Sequence, residues 1–129
     1  MLDSMIKEKI KENVNMTVPL YLMMSYAYYK QDDPIAVDAT FDEVAKILLK
    51  NYDKIKHHHK ELIRKDSLKA GTYLGVYPTI VKDTVEMVRK KIQMLGMLVK
   101  LLITLIIGFY VSIILLIYVG VPILNLILN

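Results

Sequence analysis

Asp38, Phe41 and Asp42 stand close enough in sequence to share one face of a helix, two carboxylates beside an aromatic ring. Tyr28 and Tyr29 end the preceding apolar run, and Asp32, Asp33 and Pro34 lie between. Such a set has a definite chemistry. Aromatic faces backed by carboxylates attract a cationic ring, and a carboxylate accepts hydrogen bonds from sugar hydroxyls. The same residues also have structural uses. Asp38 is a good helix N-cap, Asp42 suits a helix N-terminus, and Tyr28 and Phe41 can pack across a hairpin. At the level of sequence both readings stand.

Other candidates carry less. His57, His58 and His59 are consecutive, and helix neighbours point about 100° apart. They read as a solvated helix end and not as a metal site, which needs side chains that converge. "AGTYLG", residues 70 to 75, lacks the Gly-Lys-Ser/Thr ending of a phosphate loop. The chain has no cysteine, which excludes disulfides and thiolate catalysis. Its net charge of +4 comes from 17 basic and 13 acidic residues interleaved along the chain, so no direct nucleic-acid partner is expected. The eight methionines fall mostly on apolar faces and need only packing.

The elements that must position Asp38 and its neighbours are helical. "LDSMIKEKIKEN" makes a short amphipathic helix with Met5, Ile6 and Ile10 as its apolar side. Thr17 can cap a second helix, with Pro19 tolerated in its first turn. This helix runs to about Lys30 and is apolar nearly all round, so it should be the most buried element. It follows Lys7, Lys9 and Lys11 as a signal peptide would, but Glu8, Glu12 and its tyrosines oppose that reading. Pro34 prevents the helix from continuing. Asp38, or Thr40 with Glu43 as a capping box, starts the third helix. Its apolar stripe is Phe41, Val44, Ala45, Leu48, Tyr52 and Ile55. After about His59 the chain becomes irregular, and no strand alternation stands out.

All charges lie at or before Lys100. The stretch "LLITLIIGFYVSIILLIYV", residues 101 to 119, is close to the ~20 residues that cross a hydrocarbon core as a helix. Its apolar side chains favour insertion by about 4 to 8 kcal/mol. The tail reads as a single membrane span in contact with the lipid bilayer, in a tail-anchored topology. Lys82, Arg89, Lys90, Lys91 and Lys100 precede it and nothing basic follows, which puts the N-terminal part in the cytoplasm. Gly120 and Pro122 should end or kink the helix, leaving "ILNLILN" in the far interface. Pro78 and Thr79 signal the start of a helix that leads into the span, about 60 Å from residue 79 to 119.

Tyr28-Tyr29, Asp32, Pro34, Asp38, Phe41 and Asp42 resemble the small helical segment at the N-terminus of NAD-dependent DNA ligases. That pattern is Tyr-His or Tyr-Tyr, a turn with Asp and Pro, then Asp-x-x-Tyr-Asp. The likeness continues into "HKELIRKDS", similar to the family's His-Pro-Glu-Leu-Ile and Asp-Ser, and covers roughly residues 20 to 67. Phe41 replaces the usual tyrosine, and Lys60 stands where proline is usual. The resemblance implies that Tyr28, Tyr29, Asp38, Phe41 and Asp42 line a site for the nicotinamide mononucleotide (NMN) half of NAD. A ligase also needs a Lys-x-Asp-Gly nucleophile, and the sequence has none.

The expectation is an all-α chain: a cytoplasmic helical hairpin domain over residues 1–77, a juxtamembrane helix over 78–100, a transmembrane helix over 101–119 and a short apolar tail over 120–129. Its expected role is a tethered, non-catalytic binding or adaptor module. The alternatives are an NAD- or NMN-binding subunit of a split adenylyltransferase, completed by a partner protein, and a self-associating, holin-like membrane protein. In the last, Gly96, Gly108 and Gly120 would permit homo-oligomer contact through the span.

Overall fold

A computed structural model describes residues 2–73 and 75–128, apart from the side chain of Asn125. The chain is all-α: α1 (Leu2–Glu12), α2 (Thr17–Gln31), α3 (Asp38–Asn51), the short α4 (Lys65–Lys69), the long α5 (Thr79–Leu115) and α6 (Val121–Leu128). Two units divide at residue 87, and α5 contributes its first turns to the first of them.

In the first unit α2 is the central element, as its sequence requires. Val18, Tyr21, Leu22 and Ala27 are fully buried, and Met24 is nearly so. α3 packs beside it through Val44, Ala45 and Leu48. α1 contributes Ile6 and Ile10, whereas Met5, expected on the same side, is 50% exposed. Ile6 and Ile10 lie one turn apart, and Met5 is rotated about 100° from Ile6, off that line.

Two helix starts differ from expectation. A 3-10 turn (Val14–Met16) runs directly into α2, and the Thr17 hydroxyl donates to the Val14 carbonyl at 2.7 Å, so Thr17 is not an N-cap. At α3 the N-cap is Val37, not Asp38 or Thr40. The capping carboxylate comes from α1: Asp3 Oδ1 accepts the Val37 N–H at 3.0 Å, and Asp3 also bonds the Thr40 side chain. These two bonds hold the Asp3 carboxyl below the usual carboxylate range. Asp38 is left in the first turn with its side chain exposed.

α3 stops at Asn51 and does not reach His59. The Asn51 amide donates to the Ile47 carbonyl at 2.9 Å, a local bond that competes with helix continuation. The chain then turns tightly, with Lys54 and Ile55 N–H groups both on the Asn51 carbonyl. Ile55 is still buried, but from this turn and not from the helix. Asn15 Oδ1 accepts the Lys56 N–H at 2.8 Å and ties the turn back to the start of α2.

The irregular segment between α4 and α5 is anchored by its tyrosines. Tyr73 and Tyr77 are buried and meet edge to face, with centroids 5.1 Å apart. Tyr73 also meets Tyr21, and Tyr77 meets Tyr26. Both hydroxyls are satisfied locally, Tyr77 on the Tyr73 carbonyl and Tyr73 on the Val76 carbonyl. A Cβ at Gly75 would stand 2.6 Å from the outer end of the Tyr73 ring, so a larger residue there must displace that side chain. Val81 and Val85 then bury the first turns of α5, and Gln31 bonds Glu86 across from the end of α2.

The second unit carries the apolar half of α5 and all of α6. Thr79–Leu128 is a helix long and apolar enough to cross a membrane, with none of its most apolar stretch buried. Gly120 and Pro122 do not end it. A wide π-turn (Leu116–Gly120) lets the Val121 N–H reach the Leu116 carbonyl, five residues back, and α6 continues to Leu128. Widening the turn ahead of Pro122 gives its ring room and absorbs the missing donor. The short apolar segment after residue 120 is therefore helical through Leu128.

Because Asp3, and not Asp38, closes the N-terminus of α3, Asp3→Ala should destabilise the first unit by about 1 kcal/mol. Asp38→Ala should cost less than about 0.5 kcal/mol, as surface changes usually do. Thermal unfolding of the full chain in mild detergent, followed by tyrosine near-UV circular dichroism, measures both. The opposite ranking would reassign the cap.

Candidate ligand-binding cleft

The cleft forms where α2 ends and α3 begins. Asp32 takes a left-handed conformation (φ 50°) just after α2, and its N–H and that of Asp33 both bond the Ala27 carbonyl. This reverses the chain tightly, and Pro34 to Ala36 form one rim. A short connection between helices forces them to be antiparallel neighbours. The last turn of α2 thus faces the first turns of α3.

Tyr28, Tyr29, Asp38, Phe41 and Asp42 all line this one cleft, whose volume is about 270 Å³. That lies just below the range of ligand pockets, roughly 300 to 1,000 Å³. Tyr28 is 47% exposed and meets Tyr29 edge to face at 4.8 Å. Phe41 stacks on Tyr21, with centroids 5.1 Å apart and planes 20° from parallel. Tyr28 and Phe41 therefore do not pair with each other: Phe41 packs across the hairpin on Tyr21, a structural contact, and Tyr28 meets its chain neighbour. Asp38 and Asp42, one helical turn apart, present exposed carboxylates.

Sequence reasoning missed the opposite wall. Gly71 closes it from the end of α4, and the Tyr29 hydroxyl donates to its carbonyl at 3.1 Å. Tyr21 reaches the next carbonyl, that of Thr72, at 3.4 Å. Gly71 has φ +65°, a left-handed position after a helix that favours glycine. The glycine following α4 was the available signal, but nothing in the sequence tied it to Tyr29. Burial, then Tyr28 and Asp42, raises the Tyr29 phenol above its usual value, and burial pushes Tyr21 to about 12. Both are neutral hydrogen-bond donors at physiological pH.

The histidines differ from expectation too. They follow the end of α3 outside any α-helix, and their rings gather with centroids 3.8 to 5.6 Å apart. The His59 N–H donates to His57 Nδ1 at 3.1 Å. Among the described residues no His, Asp and Glu cluster has a geometry that could hold a metal ion. No protein-family model, curated protein or solved structure matches the chain.

Burial first, then the neighbouring imidazoles, holds His57 and His59 below the ordinary value of 6.5. The folded state keeps them neutral where the unfolded chain protonates, so stability present above pH 6.5 is lost as the pH falls below it. The thermal midpoint should drop between pH 7.5 and 5.5, a window above the titration of Asp3, and His57→Gln should flatten the drop. A midpoint indifferent to pH over that range would contradict the lowered imidazole values.

Proposed function

We propose that this chain is a membrane-anchored binding module, similar to the N-terminal segment of NAD-dependent DNA ligases, whose acidic cleft takes the nicotinamide mononucleotide half of NAD. The observation that carries this reading is the convergence of Tyr28, Tyr29, Asp38, Phe41 and Asp42 on one cleft, with Asp38 not engaged as a cap.

The physical fit is direct. A nicotinamide ring in NAD is cationic and flat, and it would lie among Tyr28, Tyr29 and Phe41 with Asp38 and Asp42 beside it. The carboxylates would accept hydrogen bonds from the ribose hydroxyls. The module has no Lys-x-Asp-Gly nucleophile of its own, so it would bind and present the nucleotide rather than accept an adenylyl group. The apolar helix after Lys100 serves as the anchor, and the basic residues before it favour a cytoplasmic location for the cleft.

Calorimetric titration of the full chain in nonionic detergent should show binding of NMN and NAD, weakened about tenfold by Asp38→Asn and by Asp42→Asn, as for a lost hydrogen bond to a charged group. Absence of heat with millimolar ligand removes the nucleotide and leaves the anchor. The anchor has its own test: the chain should stay in the pellet when membranes are washed with alkaline carbonate. Recovery in the supernatant would overturn it.

A further inference from the structure

The cleft does not stop at Asp42. A second, more open groove of about 350 Å³ continues beyond it, sharing Asp42 and Gly71 and lined by Ala45, Lys46 and Lys69. The sign of charge inverts on crossing. Asp38, Asp42 and Lys46 occupy successive i, i+4 positions of α3, so one helical face carries two negative charges and then a positive one over about 12 Å. Lys69 joins the positive end from α4.

These charges do not cancel one another. Asp42 and Lys46 are a turn apart, a spacing that commonly pairs, yet neither they nor Lys69 take part in the ion pairs Lys7–Glu43, Lys9–Glu12, Arg64–Asp66 and Lys65–Asp53. The wall between the two halves is low, because Gly71 has no side chain and nothing lies within 4 Å of where a Cβ would stand. The two halves meet between Asp42 and Gly71, which line both.

We infer that the two grooves form one dipolar site, in which the acidic half holds a cationic group and Lys46 and Lys69 hold a phosphate attached to it. The inference rests on the reading of the acidic half as a cation site. A pyridinium riboside phosphate and a phosphocholine headgroup share this cation–phosphate chemistry, and a membrane-anchored chain meets both. Two lysines are the fitting partners, since an ammonium binds phosphate as a point charge without needing a planar fork.

The test titrates the full chain in nonionic detergent at low salt with three probes: NMN, nicotinamide riboside and phosphocholine. NMN should bind about tenfold more tightly than the riboside, and the double variant K46Q/K69Q should abolish the difference while leaving riboside affinity within about twofold. Both lysines are exposed, so the variant keeps the fold, which circular dichroism verifies. Equal affinity for NMN and the riboside overturns the phosphate subsite and leaves the acidic half standing. Lysine-dependent binding of phosphocholine without response to either nicotinamide compound supports the dipolar site and removes the nucleotide. No response to any of the three overturns both.

Discussion

Asp3 reaches from α1 to the N-terminus of α3, where it accepts the Val37 N–H and bonds the Thr40 side chain. The arrangement at the cleft mouth depends on this one carboxylate. A helix start leaves backbone donors without partners, and a Ser, Thr, Asp or Asn side chain at the N-cap is the usual means of satisfying one of them. Here the task falls to a residue from another helix. Asp38 is released from it, and its charge faces outward beside Asp42. The same bonds bring α1 against α3, so the capping interaction is also a tertiary one.

The rest of the cleft is held by tyrosines. Tyr21 and Tyr29, on α2, donate their hydroxyls to successive carbonyls of the segment after α4. Tyr73 and Tyr77 fill the space behind it and pack on Tyr21 and Tyr26. A segment without regular secondary structure must find partners for its backbone groups, and buried phenols must find acceptors. Each requirement answers the other. The wall opposite Asp42 is therefore set by contacts between distant parts of the chain, although Gly71 itself bears no side chain.

What could be read from the sequence follows the same division. The all-α class, the buried α2, the apolar stripe of α3 and the uncharged tail are periodic or compositional signals, and they survive because burial acts on each element alone. The five cleft residues were also legible, since a short turn between two helices brings neighbours in sequence together in space. Asp3 as the cap, Gly71 as a wall and Tyr73 as a core residue were not. Each depends on a contact with a distant segment, and no local spacing encodes it. The end of α3 at Asn51 was missed because the stripe continues to Ile55, whose burial from a turn mimics helical periodicity. Gly120 and Pro122 read in sequence as an end or a kink of the helix, and the π-turn was missed because the spacing does not show that one widened turn accommodates them.

The π-turn has a consequence for how the apolar helix meets lipid. From Leu101 to Leu128 the uncharged helix is about 42 Å long, against a hydrocarbon thickness of roughly 30 Å. With Lys100 at one headgroup boundary and the helix upright, residues 116 to 120 fall about 24 to 30 Å away, at the opposite edge of the acyl region. A wide turn before a proline leaves carbonyl oxygens short of amide partners, a heavy penalty among acyl chains and a slight one where glycerol and water begin. In a helix that spans a bilayer this way, the backbone irregularity would act as a depth marker: it would favour a polar boundary at Gly120, and a thicker membrane would draw those oxygens into oil.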